Sequence, residues 1–152
     1  MCHPARVLRL RPAVLDDLAA LLPRTLALNS HEGIAIDPAV LRAALERLLR
    51  DPGLGGAWLI ERDGAAIGYA IVTFGYDLEF GGRDAFLTEL WVDPAERDAG
   101  AGGAAIALLD PELRTRGVNA LHLQVRPDNP ALRLYQRSGF VASPRITMTR
   151  RL

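Results

Sequence analysis

One change of period limits what this chain can fold into. Its apolar residues recur at helical spacing up to residue 50 and alternate in strand fashion from residue 57. In the helical part, Leu15, Leu18, Leu21, Leu22 and Leu26 accompany Asp16 and Asp17, two acids suited to a first helical turn. Pro23 is expected to kink or end that helix, and residues 29–36 read as a loop. Asp37 then caps a second helix with Pro38 at its first position, running through Leu41, Leu45, Leu48 and Leu49 to Arg50. Ahead of both, Val7 to Arg11 alternates until Pro12 stops it, which suits a short edge strand.

The cluster Asp51-Pro52-Gly53 with Gly55-Gly56 separates the two regimes. Ala57 to Glu61 and Ala66 to Phe74 read as strands joined at the Arg62-Asp63-Gly64 turn. Asp84 to Val92 is a third strand, closed by Asp93-Pro94. Gly100 to Gly103 opens a helix carried by Ala104, Ile106, Leu108 and Leu109, with Pro111 expected to kink it or to force a restart capped by Asp110. Leu121 to Val125 reads as a strand, Ala131 to Arg137 as a short helix, and Gly139-Phe140 as the start of a C-terminal pair of strands. The order β-α-α-β-β-β-α-β-α-β-β, without repeat or linker, is that of one α/β domain over residues 1–152, its central sheet mixed and mostly antiparallel.

Composition narrows the functional classes. A chain of 152 residues with 49% hydrophobic and 24% charged residues excludes disorder and a coiled coil, and leaves room for little beyond one core. Eighteen cations against 18 acids give zero formal charge, so no bulk attraction to nucleic acid or an anionic membrane is expected. Every cation is an arginine, so the chain carries no lysine ammonium as a self-target for acyl chemistry. The single Cys2 cannot form an internal disulfide, and with three histidines it gives no metal-ligand spacing. No apolar run reaches the roughly 18 residues of a membrane span, and Met1-Cys2-His3-Pro4 leads into arginines and not into the apolar region of a signal peptide. A soluble, cytoplasmic protein without a metal is expected.

The most informative stretch runs from Leu90 to Gly102: a strand ends, a turn presents Arg97, and two glycines two apart start a helix. Glycines there let backbone approach a ligand closely, and the helix start offers unpaired N–H groups with a partial positive charge, which suits a pyrophosphate. A dinucleotide-binding loop competes, since Gly100-Ala101-Gly102-Gly103-Ala104-Ala105 nearly fits Gly-x-Gly-x-x-Ala. In that fold the glycines follow their strand at once and open the domain. Here Asp93 to Ala99 intervene and most of the chain comes first, so that reading is discounted.

Arg97-Asp98-Ala99-Gly100-Ala101-Gly102 after a strand ending at Val92 resembles the acetyl-CoA signature of the GNAT N-acetyltransferases, Arg/Gln-x-x-Gly-x-Gly/Ala. Asn129-Pro130-Ala131-Leu132-Arg133-Leu134-Tyr135-Gln136-Arg137-Ser138-Gly139-Phe140 resembles that family's second signature, from Asn to Leu-Tyr-x-x-x-Gly-Phe. The element order agrees with the family from end to end. Three positions depart from the pattern: Asp98 stands where a basic or small residue is usual, Pro111 interrupts the following helix, and the Asn-to-Tyr spacing is one residue short. Counting back from Tyr135 lands on Asp128, so the family's Asn position falls on Asn129 or on Asp128.

The resemblance implies the GNAT acyl-CoA N-acyltransferase fold, acetyl-CoA as cosubstrate and an amine as acceptor, often with a homodimer. It implies that the backbone of Asp98, Ala99, Gly100, Ala101, Gly102 and Gly103 holds the pyrophosphate beside Arg97. The strand segment Leu90-Trp91-Val92 would lie along the pantetheine arm, pairing through Leu90 and Val92 main-chain groups, with Asn129 further along the cofactor. An ammonium must lose a proton before it attacks a thioester, its unperturbed pKa being about 10.4. Glu89, on the central strand beside the expected thioester site, is the first candidate base, with Glu32, Asp77 and Glu79 as alternatives. Tyr135 matches the family's general acid for the leaving thiolate. Trp91 and Phe86 side chains are read as packing, His122 as structural and Cys2 as inert, while Tyr69, Phe74 and Tyr76 could wall an acceptor pocket. The stretch from Tyr76 to Arg83 is similar to that of family members that acetylate small amines, diamines among them, and its acids suit a cationic acceptor; a peptide N-terminus, a lysine and an aminoglycoside stay open as acceptors. The different-class alternative is a non-catalytic CoA-binding module of the same fold.

Overall fold

A computed structural model describes residues 6–97 and 99–152. Five strands form one sheet: β1 (Leu8–Pro12), β2 (Gly55–Arg62), β3 (Ala65–Asp77), β4 (Gly82–Val92) and β5 (Ala120–His122). They lie in chain order, the first four antiparallel and the β4–β5 pair parallel. Helices α1 (Leu18–His31) and α2 (Pro38–Arg50) precede the β2–β4 meander, α3 (Ala101–Thr115) links β4 to β5, and α4 (Leu132–Arg137) follows. No helix of the described residues is long and apolar enough to cross a membrane.

Local chemistry accounts for most boundaries. The Asp37 carboxylate accepts from the Ala39 N–H at 2.8 Å, and Pro38 sits where the missing N–H costs nothing. Asp63 and Gly64, both at positive φ (52° and 83°), make the two-residue turn between β2 and β3, a geometry that matches strand twist.

The sheet buries both faces. On one, Ala57, Leu59, Tyr69, Ile71 and Trp91 pack against Leu18 and Leu21 of α1 and Leu45 of α2. On the other, Trp58, Ala70, Val72, Ala85 and Leu87 pack against Ile106, Leu109 and Leu113 of α3. Arg24 of α1 clamps Asp93 just beyond β4 with two parallel bonds, Nε to Oδ1 at 2.9 Å and Nη2 to Oδ2 at 2.8 Å, and so fixes where β4 hands over to the glycine loop.

Four expectations are corrected. Helix α1 runs through Pro23 to His31, so residues 29–31 are helical and the loop begins at Glu32. Helix α3 is likewise continuous through Pro111, so of the kink or restart expected there the restart is ruled out. The reason is the same in both: a proline deprives the carbonyl four residues back of its partner, and Ala19 and Ala107 lie on exposed turns, where that loss costs least. The strand read as Leu121–Val125 pairs only over Ala120–His122, because the chain leaves β4 there. The expected C-terminal pair of strands is absent from the described residues. Residues 141–152 are exposed, and side chains tie them down instead: Gln124 to Thr147 at 2.8 Å and Arg145 to Glu79 at 2.7 Å.

Candidate active site

The register of β4 changes in its middle. Val72 stands opposite Leu87 and Ile71 opposite Glu89, so Thr88 is an extra residue, a β-bulge, and its hydroxyl bonds the Ile71 carbonyl at 3.2 Å. A one-residue insertion exchanges the faces of everything after it. Leu87 points to the α3 side, whereas Glu89 joins Tyr69 and Trp91 on the α1 side. Without the bulge a carboxylate at position 89 would be aimed into the α3 core.

The same segment has an open backbone edge. The Asp93 N–H bonds the Ile67 carbonyl at 2.7 Å, so the N–H groups of Asp93 and, by alternation, Trp91 turn toward β3. Those of Leu90 and Val92 therefore turn the other way. On that side β5 pairs only with Asp84–Phe86, so β4 beyond Phe86 has no strand neighbour. The Val92 carbonyl accepts from Arg97 Nε at 2.8 Å, and the Arg97 guanidinium lies over the Trp91 ring at 4.5 Å. Arg97 therefore folds back onto the strand end it follows.

Gly100 takes the left-handed conformation (φ 75°) and α3 starts at the next residue. The Ala104 N–H is bonded to the Gly100 carbonyl at 3.1 Å, so those of Ala101, Gly102 and Gly103 are the donors a helix start leaves without intrahelical partners. Gly102 and Gly103 have a second role: a Cβ there would stand 3.1 and 3.3 Å from the Leu134 methyls, so their small size also lets α4 pack close. Ala99 is exposed beside this turn, and Asp98 lies outside the described residues.

A cavity of about 820 Å³ opens along the β4 edge. Glu89 and Leu90 reach it from β4, Tyr135 from α4, Glu32 from the loop after α1, and Arg126 and Asn129 from the chain after β5. Burial pushes the Glu89 carboxyl above its ordinary value, and a bond from the Tyr69 hydroxyl (3.2 Å) opposes part of that shift. Burial first, and the Glu32 charge second, raise the Tyr135 phenol. Asn129 is half-buried in the turn just before α4, its Oδ1 accepting from the Ala131 N–H at 2.9 Å, while Asp128 is 83% exposed and faces Arg126.

Among the sequence candidates, Glu89, Leu90, Tyr135, Asn129 and Glu32 therefore meet in one place. Asp77 and Glu79 do not line it: Asp77 caps the turn at residues 78–80 and Glu79 pairs with Arg145. Tyr76 is exposed, Phe74 lies under Arg83, and Tyr69 is fully buried behind Glu89. Phe86 lines the cavity, beyond the packing role read for it. His122 holds the buried Asp84 at 3.1 Å, a structural pairing, and Cys2 lies outside the described residues. The bulge, missed in the sequence, leaves a trace there: the core-facing positions Ala85, Leu87, Leu90 and Val92 widen from two apart to three apart at Thr88-Glu89.

The chain is similar to several known proteins. A protein of Nocardia farcinica (strain IFM 10152) named L-2,4-diaminobutyric acid acetyltransferase is 36% identical over 77 residues, which are 51% of this chain and 38% of that protein's length. An integron cassette protein from the mobile metagenome of Cole Harbour Salt Marsh superposes with a TM-score of 0.83 at 29% identity, covering 94% of this chain and 90% of that one. The aminoglycoside N-acetyltransferase AAC(6')-Iy, solved in complex with CoA, shares the fold with a TM-score of 0.82 at 19% identity, over 99% of each chain. The model of the acetyltransferase (GNAT) family matches residues 23–140, a span that takes in α1 from Pro23 onward, all of α2, the glycine loop and the Tyr135 segment, and the chain belongs to that family.

Proposed function

We propose that the chain is an acetyl-CoA-dependent N-acetyltransferase whose acceptor is the primary amine of a small cationic compound such as a diamine or diamino acid. One observation carries the reading: Glu89 and Tyr135 reach a single cavity at the stretch where the β4 edge has no strand partner. Acetyl-CoA supplies a thioester, an acyl group on a sulfur leaving group. The N–H groups of Ala101, Gly102 and Gly103 would hold its pyrophosphate, and the main-chain groups of Leu90 and Val92 its pantetheine arm.

Glu89 takes the proton the acceptor ammonium must lose before its nitrogen can attack. As the nitrogen–carbon bond forms and the carbon–sulfur bond breaks, Tyr135 gives a proton to the sulfur. The nitrogen sheds a second proton, solvent restores both side chains, and the balance is an amide, a thiol and one released proton. A raised carboxyl is the stronger base, and a raised phenol stays protonated and able to donate at working pH. The acids Glu32 and Glu89 in the cavity support a cationic acceptor, as does the name of the Nocardia relative. Assembly as a homodimer belongs to the same reading, supported by exposed Val141, Ile146 and Met148 on the C-terminal segment and checked by light scattering.

The test is thermal melting with acetyl-CoA followed by thiol release with a panel of amines. At about 100 times its dissociation constant a ligand adds about 2.7 kcal/mol of stability. An unchanged melt overturns the proposal, and stabilisation without thiol release from any amine makes the chain a CoA-binding module instead.

A further inference from the structure

Behind Glu89 stands a hydroxyl that this reaction does not itself touch. Tyr69 is 0% exposed, and its Oη lies 3.2 Å from Glu89 Oε1, the partner it has among the described residues. The two reach each other only because the bulge at Thr88 turns residue 89 onto the α1 face, where Tyr69 already points. Packing alone asks for no hydroxyl here: with Leu18, Leu21, Leu59 and Ile71 around it, a phenylalanine would fill the place without a polar group to satisfy.

We propose that Tyr69 is a positioning residue for Glu89, its hydroxyl donating to Oε1 so that Oε2 is presented to the acceptor amine. Oε2 has no hydrogen bond among the described residues. The inference rests on the reading of Glu89 as the base. The bond also tunes that base: a donor to the carboxylate favours the charged form and opposes part of the rise in proton affinity that burial causes.

Other ionisable groups surround Glu89. Tyr135 comes from α4, Glu32 from the loop after α1 and Arg126 from the chain after β5, all lining the same cavity. His31, at the end of α1, stands edge-on to Trp91, the next residue on that face, and α2 contributes the apolar Leu41. None of these is altered by Tyr69→Phe, so the difference between that variant and the wild type isolates the hydroxyl.

The experiment compares wild type, Tyr69→Phe and Glu89→Gln in the pH dependence of kcat/KM, and follows the Glu89 carboxyl carbon by NMR in the wild type and in Tyr69→Phe. A hydrogen bond to a charged group contributes about 1.5–3 kcal/mol and one pKa unit is about 1.36 kcal/mol. The acidic limb and the Glu89 titration are therefore expected to move up by at least about one pH unit in Tyr69→Phe, a loss of about tenfold at pH values below the limb. A 3-fluorotyrosine at position 69 alone, a stronger donor of the same shape, is expected to move both the opposite way, and it serves if Tyr69→Phe fails to fold. With Glu89→Gln disabled, an unmoved limb and an unmoved titration reduce Tyr69 to a packing residue. If Glu89→Gln keeps wild-type turnover at every pH, the base reading itself is overturned and the positioning role falls with it, even where the titration moves.

Discussion

The Glu89 carboxyl is held above an ordinary glutamate because burial penalises its charged form more than the Tyr69 bond rewards it. The folded chain thus binds this proton more tightly than the unfolded chain does. Its contribution to stability is fully present below the ordinary carboxylate range and is lost as pH rises through the folded value. Glu89→Gln removes a charge that is costly at neutral pH, so its melting temperature should equal or exceed the wild type's there, with the margin shrinking as pH falls. Turnover should drop by about 10²–10⁴-fold. This pairing of retained stability with lost activity, read by calorimetry beside thiol release, separates a catalytic carboxylate from a structural one. Tyr135→Phe keeps the ring that packs edge-on against Phe140 and removes only the hydroxyl. Acetyl-CoA affinity should be unchanged while kcat falls by about 10²-fold or more. Because burial and Glu32 hold the phenol above its ordinary 10.0, the wild-type rate should show no falling limb from Tyr135 below that pH. A pH–rate profile checks it.

Two elements carry prolines inside helices, and both prolines face water. Proline costs about 3 kcal/mol against alanine in a helix interior, of which about 0.4–1 kcal/mol returns through a stiffer unfolded chain. Pro111→Ala should therefore stabilise the protein by about 2 kcal/mol, raising Tm by several degrees without changing acetyl-CoA binding. The start of the same helix is more sensitive. Gly102→Asp puts a carboxylate among the N–H donors proposed to hold pyrophosphate, and should abolish the thermal shift with acetyl-CoA. Gly102→Ala, whose Cβ displaces only a flexible Leu134 methyl, is the packing control and should keep most of that shift. Helices and hairpins were legible where a local signal sets them, as with the Asp37-Pro38 cap and the Asp63-Gly64 turn. The expected C-terminal strands failed because a strand forms only where another edge pairs with it, and no strand of the described residues pairs with that segment.

At the scale of the whole molecule, the sheet holds two cores apart and the candidate site lies where its β4 edge runs free. Arg24 secures that edge from the first helix: besides clamping Asp93 it donates to the Ala20 and Ala66 carbonyls, and the Trp91 indole also donates to Asp93 at 3.2 Å. Both side chains of the pair are more than two-thirds buried, so Arg24→Ala leaves a carboxylate poorly solvated. A loss of about 2–3 kcal/mol is expected, seen as a lower urea midpoint, with weaker acetyl-CoA binding because the strand end carries the glycine loop.

What the sequence determined by itself was everything set by neighbours along the chain. That covers the helical and strand periods, the caps and turns, the glycine opening of α3, and the two motifs that match one family. Which of the candidate carboxylates reach the cavity was decided only in three dimensions. Glu32, Asp77, Glu79 and Glu89 all carry a carboxylate, and the fold sends Asp77 to a cap, Glu79 to Arg145, and Glu32 and Glu89 to the cavity. The bulge that turns Glu89 toward Tyr69 is a pairing event between strands: the face of every residue after Thr88 depends on what β3 offers opposite, which no local preference encodes.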